Sequence, residues 1–451
     1  MLVCCLPVEL KNRELNGRLL LAAALAARGV GALLGSKRAV RDALRRFPHT
    51  AVFDKGLVPE AHFYEKLKAI GTAVLSLDEE GGGFSEKTLE DFVLPRYGPE
   101  ATPFVDLFFM WGPAQARRVI EAYPAASEEK VIISGNPRFD LLREPYSAFH
   151  APEIESIRNR YGRFVLVNTN FSWANHFLGY RKGILGLEGW SEAQARGPYT
   201  YFKEVLARFV GAVERIAQSF PSLNVVVRPH PAEDTSTYEK AFADRRNVFV
   251  VYEGNVQKWI LAAAALIHHD CSTGIEAVIA ERPTFSYSPI SDERYVQDLA
   301  VAVSELATSE NELLRQVEEY VIGDRTVPTT VHEERTRLIT RWLAYDRGPA
   351  AETIARSVVN HRDRLIASSQ PTGGGTDQSA PSEGSPLGRL VGKLQSRFAD
   401  RQMHRLTQKK MPGISIEEVE GKLSRLRDVA PGFAEVRAEK IAKDGFLFTR
   451  G

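Results

Sequence analysis

Cysteine is scarce: the chain has 3 in 451 residues, Cys4, Cys5 and Cys271. The number is odd and the adjacent pair is poorly placed to bridge, which excludes a disulfide-stapled scaffold and points to a reducing compartment. Long apolar runs are missing too. The longest, "WILAAAALI" at 259–267, falls far short of the ~20 residues a membrane-spanning helix needs. No basic residue precedes the apolar stretch of "MLVCCLPVEL", which argues against a secretory signal peptide. Neither sign of charge dominates: 58 Lys and Arg face 57 Asp and Glu, so no bulk field recruits nucleic acid. No repeat of roughly 20–50 residues marks a solenoid.

What is present is an ordinary globular balance, 44% hydrophobic and 25% charged, over a length that fits about two or three domains. Short apolar runs alternate with helical patterns. "LVCCLPV", "VGALLG", "TAVFD", "TAVLSL", "VDLFFMW" and "EKVIISG" read as strands, and "RELNGRLLLAAALAARG", "KRAVRDALRRF", "HFYEKLKAIG" and "AQARRVIEAYP" as helices between them. Near-continuous apolar strands separated by helices predict a parallel sheet covered on both faces. A second series follows: strands "RFVLVNTN", "LNVVVRPHP", "NVFVVY", "ALIHHD" and "PTFSYS", with helices "YFKEVLARFVGAVERIAQSF" and "TGIEAVIAE". The stretch 171–201 between the first strand and the first helix reads as irregular. The expected architecture is α/β, with two Rossmann-like parallel-sheet domains facing a cleft. The boundaries are 1–140, 141–366 with closing helices, a Gly/Ser/Pro-rich disordered linker at 367–386, and a helical tail at 387–451.

Five stretches carry candidate chemistry at strand ends, where open α/β sheets bind ligands. "SLDEEGGGFS" places Asp78, Glu79 and Glu80 before Gly81, Gly82 and Gly83. A carboxylate there can act as general base, and the glycines let a ligand approach the backbone; a solvated loop explains the same letters. "VVVRPHP" fixes His230 between Pro229 and Pro231, with Arg228 ahead of it, so His230 and Arg228 can face a phosphate. "IHHDCSTGIEAV" starts a helix near Ser272, Thr273 and Gly274, a place for an anion, with Glu276 suited to a ribose diol. Thr273 and Glu276 also match a capping box, which needs no ligand. Neighbouring His268 and His269 point to opposite faces of a strand and cannot readily share a metal ion. "SGNPRFD" puts Asn136 and Arg138 in a turn at the domain handover, and "VNTNFSW" puts Asn168 and Asn170 at a strand end.

The order of these motifs resembles the bacterial GT-B glycosyltransferases that use CMP-activated sugars, the sialyltransferases and Kdo transferases. More narrowly, "LPVELKNRELNGRLLLAAALAARG", "SLDEEGG", "GNPRFDLL" and "STGIEA" resemble the surface carbohydrate biosynthesis protein family over residues 1–365. The resemblance implies transfer of a Kdo or nonulosonic-type sugar from a CMP donor to a glycan acceptor, without metal or other cofactor. It implies Glu79, Glu80 or Asp78 as base and His230 as a catalytic group at the donor phosphate. Arg228, Pro231, Ser272, Thr273, Gly274, Glu276, Asn168 and Asn170 would hold the nucleotide. Gly81, Gly82, Asn136 and Arg138 would serve the acceptor or the domain boundary. A CDP-glycerol- or ribitol-type phosphotransferase, a sugar-nucleotide epimerase of the same fold and a non-catalytic scaffold remain rival readings. The tail stretch 387–410 alternates Leu387, Leu390, Leu394 and Phe398 with seven basic residues, the pattern of a helix lying on an anionic membrane surface. Such an enzyme is expected in the cytoplasm, with a peripheral position on the inner membrane face as the expectation from the tail.

Overall fold

The computed structural model describes all residues except 58–60, 80–85, 188, 293, 296–297 and 372–410. Its strands are β1 (Leu2–Val8), β2 (Gly31–Ser36), β3 (His49–Asp54), β4 (Thr72–Leu77), β5 (Leu107–Met110), β6 (Val131–Ile133), β7 (Phe164–Asn168), β8 (Asn224–Arg228), β9 (Val248–Val250), β10 (Ala265–His268), β11 (Thr284–Tyr287), β12 (Glu305–Ala307), β13 (Val436–Ala442) and β14 (Gly445–Arg450). The chain forms two compact units. The first takes Met1–Gly81, Leu94–Asp140 and Arg347–Gly451, and the second takes Gly82–Val93 and Leu141–Asp346.

The first unit holds a sheet of 8 strands in the order β13-β14-β2-β1-β3-β4-β5-β6. β1 to β6 are parallel, and β14 joins β2 antiparallel. The helix Lys11–Ala27 is buried from Glu14 to Ala26, because the sheet lies on one side and helices Ala350–Asn360 and Ile416–Val429 lie on others. That explains why its second half, Leu19 to Ala27, is apolar all round and lacks a single stripe.

The second unit holds a parallel sheet of 6 strands in the order β12-β11-β10-β7-β8-β9. Counted from β7, this is the doubly wound 3-2-1-4-5-6 order, which reverses direction between β7 and β10. Val165, Val167, Val225, Val227, Ile267 and Phe285 from adjacent strands form a dry core with Phe209, Val213 and Ile216 of the long helix Glu192–Ser219.

Three expectations need correction. The helices after Arg347 belong to the first unit, since Asp140 accepts hydrogen bonds from the Ala350 and Ala351 N–H groups (2.8 Å each) and caps Ala350–Asn360. The tail is helical at Ile416–Val429 but ends in the β13–β14 hairpin, which turns at Lys443–Asp444. The stretch 171–201 is not irregular throughout: a capping box of Ser191 and Gln194 starts the long helix at Glu192 and carries it through Pro198. The linker segment 372–386 and the basic stretch 387–410 lie outside the described residues. Among the described residues, no helix is long and apolar enough to cross a membrane.

Candidate functional site

In the second unit the switch between β7 and β10 opens at the carboxyl ends of the strands, the usual place for a ligand. Asn168 ends β7 level with Arg228 on β8. The side chain of Asn168 is buried, and neither its amide nitrogen nor its oxygen has a protein partner. Beside it, one carboxylate ties two loops together. Glu233 Oε1 accepts from Thr169 Oγ1 (2.7 Å), the Phe171 N–H (3.1 Å) and the His230 N–H (3.1 Å), while Oε2 accepts from the Tyr238 hydroxyl. Burial holds the Glu233 carboxyl above its usual range, against the opposing pull of the four donors. His230 is half-buried, and its Nδ1 accepts from the Ala232 N–H (3.2 Å). In the neutral ring the proton therefore sits on Nε2, which makes that nitrogen the donor. Pro231 follows in an exposed turn, and Asn170 is half-buried in the loop that Glu233 holds.

Arg228 is committed elsewhere. It donates to the Glu253 carbonyl (2.9 Å) and the Gly254 carbonyl (3.2 Å), and its guanidinium lies 5.1 Å from the Trp259 ring centre. Burial lowers its pKa to about 10. It braces the β9–Trp259 loop and is withdrawn as a phosphate anchor.

Ser272 and Thr273 are half-buried at the start of a helix (Thr273–Ile279), and Glu276 is buried within it. The capping box is not formed: Ser272 is the N-cap, with helical backbone and no side-chain cap bond. Gly274 has a packing reason instead. A Cβ there would lie 2.4 Å from His268 Nε2, so glycine makes room for that ring. His268 is fully buried, accepts from the Cys271 N–H at Nδ1 (3.2 Å) and meets Ser304 Oγ through Nε2 (2.9 Å). Burial, then His269, pushes its pKa down to about 3. His269 instead meets the Tyr287 carbonyl through Nδ1 (3.0 Å) and Tyr201 through Nε2 (3.1 Å). Each ring serves the frame on its own side of the strand. Among the described residues no group of His, Cys, Asp and Glu is placed to hold a metal ion.

In the first unit the acidic run follows β4. Asp78 is completely buried in a two-pronged pair with Arg96 (2.9 Å to each oxygen), which neutralises it and removes it as a general base. Its carbonyl accepts from Trp111 Nε1 (2.7 Å) and Asn136 Nδ2 (3.1 Å). Glu79 pairs through Oε1 with Arg18 Nε (2.8 Å), and its Oε2 accepts from Asn136 (3.3 Å). Arg13 (2.9 Å) and Arg138 (3.5 Å) donate to its carbonyl. Arg138 also stands 5.2 Å from the Trp111 ring centre and 4.7 Å from that of Phe139. Three motifs distant in sequence, at 11–18, 78–79 and 136–140, thus meet around one buried carboxylate. Gly17 permits it, since a Cβ there would press to 3.0 Å from the Arg138 nitrogen. Glu80, Gly81 and Gly82 lie outside the described residues. Sequence reading missed Glu233, Arg18, Arg96 and Trp111. Glu233 had a weak signal in "HPAED", an acid two places past the His-Pro pair.

No family model and no curated protein matches the chain. Solved structures do. UDP-GlcNAc 2-epimerase from Methanocaldococcus jannaschii matches with a TM-score of 0.51 and 11% identity, over 80% of this chain and 100% of the other. The same enzyme from Neisseria meningitidis gives 0.47 and 8% over 80% and 100%. The wall teichoic acid polymerase TagF with CDPG gives 0.42 and 13% over 70% and 72%. The first of these likenesses agrees with the fold class: two Rossmann-like parallel-sheet units of GT-B type.

Proposed function

We propose that the chain is a nucleotide-sugar enzyme of surface glycan synthesis, a glycosyltransferase that moves a Kdo- or nonulosonic-type sugar from a CMP-activated donor to a glycan acceptor. The observation that supports the nucleotide half is the unpartnered buried amide of Asn168 beside the Glu233-held His230 loop, at the switch of the second sheet. An amide with a donor and an acceptor both unmet suits a base or ribose edge. His230 Nε2–H donates to the donor phosphate, with Ser272 and Thr273 hydroxyls beyond the next strand and Glu276 on the ribose. As the bond from the anomeric carbon to the phosphate oxygen breaks, its electron pair stays on CMP, where these donors meet the growing charge. The acceptor oxygen forms the new bond and gives its proton to a carboxylate. Asp78 is held by Arg96 and Glu79 by Arg18 in the same way, so of the acidic run Glu80 is the proposed base. We place the enzyme in the cytoplasm, with residues 387–410 against the inner membrane surface.

The test is turnover of a CMP-sugar with and without a glycan acceptor, for the wild type and His230→Ala. Transfer that needs acceptor and falls about 10²–10³-fold in the variant is expected. Product formed without acceptor makes the chain an epimerase or hydrolase, and full activity in the variant removes His230 from the reaction.

A further inference from the structure

The strands of the second sheet have another open end. Arg163, Ala264 and Pro283 directly precede β7, β10 and β11, and all three line a cavity of about 880 Å³. It lies at the amino ends of these strands, so it is separate from the nucleotide crevice at their carboxyl ends. Five arginines line it, at 158, 163, 282, 325 and 335, with His332, against the carboxylates of Glu281 and Asp324. Three of the five are already neutralised by carboxylates: Arg163 by Asp324, Arg325 by Glu319, and Arg335 by Glu305 (2.8 Å).

Arg158 and Arg282 are different. Arg158 donates to the Ala262 and Leu261 carbonyls (3.3 and 3.2 Å) and pairs with no carboxylate among the described residues. Arg282 has a buried Nε with no partner at all. Burial lowers the pKa of Arg282, and the charge of Arg158 lowers it further, ahead of the opposing pull of Glu281. Both guanidinium groups line the same cavity with no carboxylate paired to either among the described residues, so an anion between them would be held by both. The apolar remainder of the wall is Ala262, Ala263, Val278, Tyr320 and Val327. The volume falls within the usual range of a small-molecule site, about 300–1,000 Å³.

We propose that this cavity is a second ligand site, which takes a phosphate-bearing molecule between Arg158 and Arg282. Guanidinium forks match the oxygens of phosphate and pyrophosphate in pairs, which a single ammonium does not. The site is not part of the proposed transfer chemistry, and it stands whether or not that chemistry is correct.

The experiment is isothermal titration of the full chain with sodium pyrophosphate, in the presence of saturating CMP. One pyrophosphate per chain is expected to bind, and Arg158→Gln and Arg282→Gln are each expected to weaken it about tenfold or more. Arg282→Lys, which keeps the charge and the volume, is expected to bind with intermediate affinity. Thermal melts of each variant check that the fold is kept. Should Arg282→Gln melt early, Arg158→Gln, on an exposed side chain, decides alone. Absence of heat at millimolar pyrophosphate overturns the proposal, as does displacement by CMP or unchanged affinity in a folded Arg158→Gln variant. Dihexanoyl phosphatidate titrated the same way separates two sources of the phosphate. Tighter binding than pyrophosphate assigns the cavity to a lipid headgroup, and weaker binding assigns it to a soluble phosphate.

Discussion

Asn168 carries an amide that the fold leaves unused. A buried polar group without partners costs about 1–3 kcal/mol, so Asn168→Ala is expected to keep or slightly raise stability. If the amide meets the nucleotide, the same change weakens CMP binding about tenfold. Urea denaturation and titration calorimetry on one variant separate the two effects; lost stability with intact CMP affinity makes Asn168 a frame residue. Glu14 presents the opposite case. It is buried, and burial, then the neighbouring Glu79, holds its carboxyl above the usual range, against a bond from the Glu9 N–H and the pull of Lys55. A carboxyl whose folded pKa is raised contributes its stability below the unfolded value, about 4.3, and loses it as pH rises through the folded value. Glu14→Gln cannot ionise, so its stability relative to wild type is expected to rise between pH 4 and pH 8 in thermal melts. A flat difference across that range would show that Glu14 is not the titrating group. At this scale Asn168, His230 and Glu79 were legible, because turn residues and strand ends mark them in sequence. Arg18 and Arg96 were not. Nothing in a local window tells which distant arginine will neutralise a buried acid, and the answer came only from chain crossings 61 and 18 residues away.

Among the elements, the parallel strands were readable because burial on both faces makes them continuous apolar runs. The terminal hairpin was not, since β13 interleaves Val436 and Ala438 with Arg437, Glu439 and Lys440 and lies at a sheet edge. Its one clear signal is the turn "KDG", where Asp444 takes a positive φ of 55° before Gly445. The hairpin nevertheless covers the edge of β2 that would otherwise be open to pairing. Gly35 makes the docking possible. A Cβ there would stand 2.2 Å from the Asp444 carbonyl oxygen, and the Ser36 N–H donates to that oxygen (2.9 Å). Gly35→Ala therefore cannot be absorbed by a side-chain rotation. It is expected to detach the hairpin and cost about 1–3 kcal/mol, the usual range for overpacking. Hydrogen exchange at 445–448 reads the detachment directly, and unchanged protection there would refute it. The helix Ile416–Val429 adds a second clasp, with Lys11 paired to Glu418 (2.6 Å) and Lys422 donating to Asn16 Oδ1 (2.8 Å).

For the molecule as a whole, charge is balanced to +1, which makes its uneven placement informative. Residues 387–410 hold Arg389, Lys393, Arg397, Arg401, Arg405, Lys409 and Lys410 against Asp400 alone. The segment lies between two parts of the first unit, Arg347–Ser369 before it and Ile414–Gly451 after it. Cutting the chain at Ser368 would remove the hairpin along with the basic stretch and confuse folding with membrane binding. Changing Arg389, Lys393, Arg397, Arg401 and Arg405 to Gln leaves the connection and the hairpin in place. Each basic residue near an anionic surface is worth about 1 kcal/mol, so the five together are expected to lower the partition onto phosphatidylserine vesicles more than about a hundredfold. Raised salt should weaken wild-type binding in the same direction, through screening. CMP affinity should not change, because the proposed nucleotide crevice is built from β7, β8 and β10 of the second unit. Equal sedimentation of wild type and variant would assign the stretch to some other partner. A parallel loss of CMP affinity would show instead that the substitutions disturb the fold.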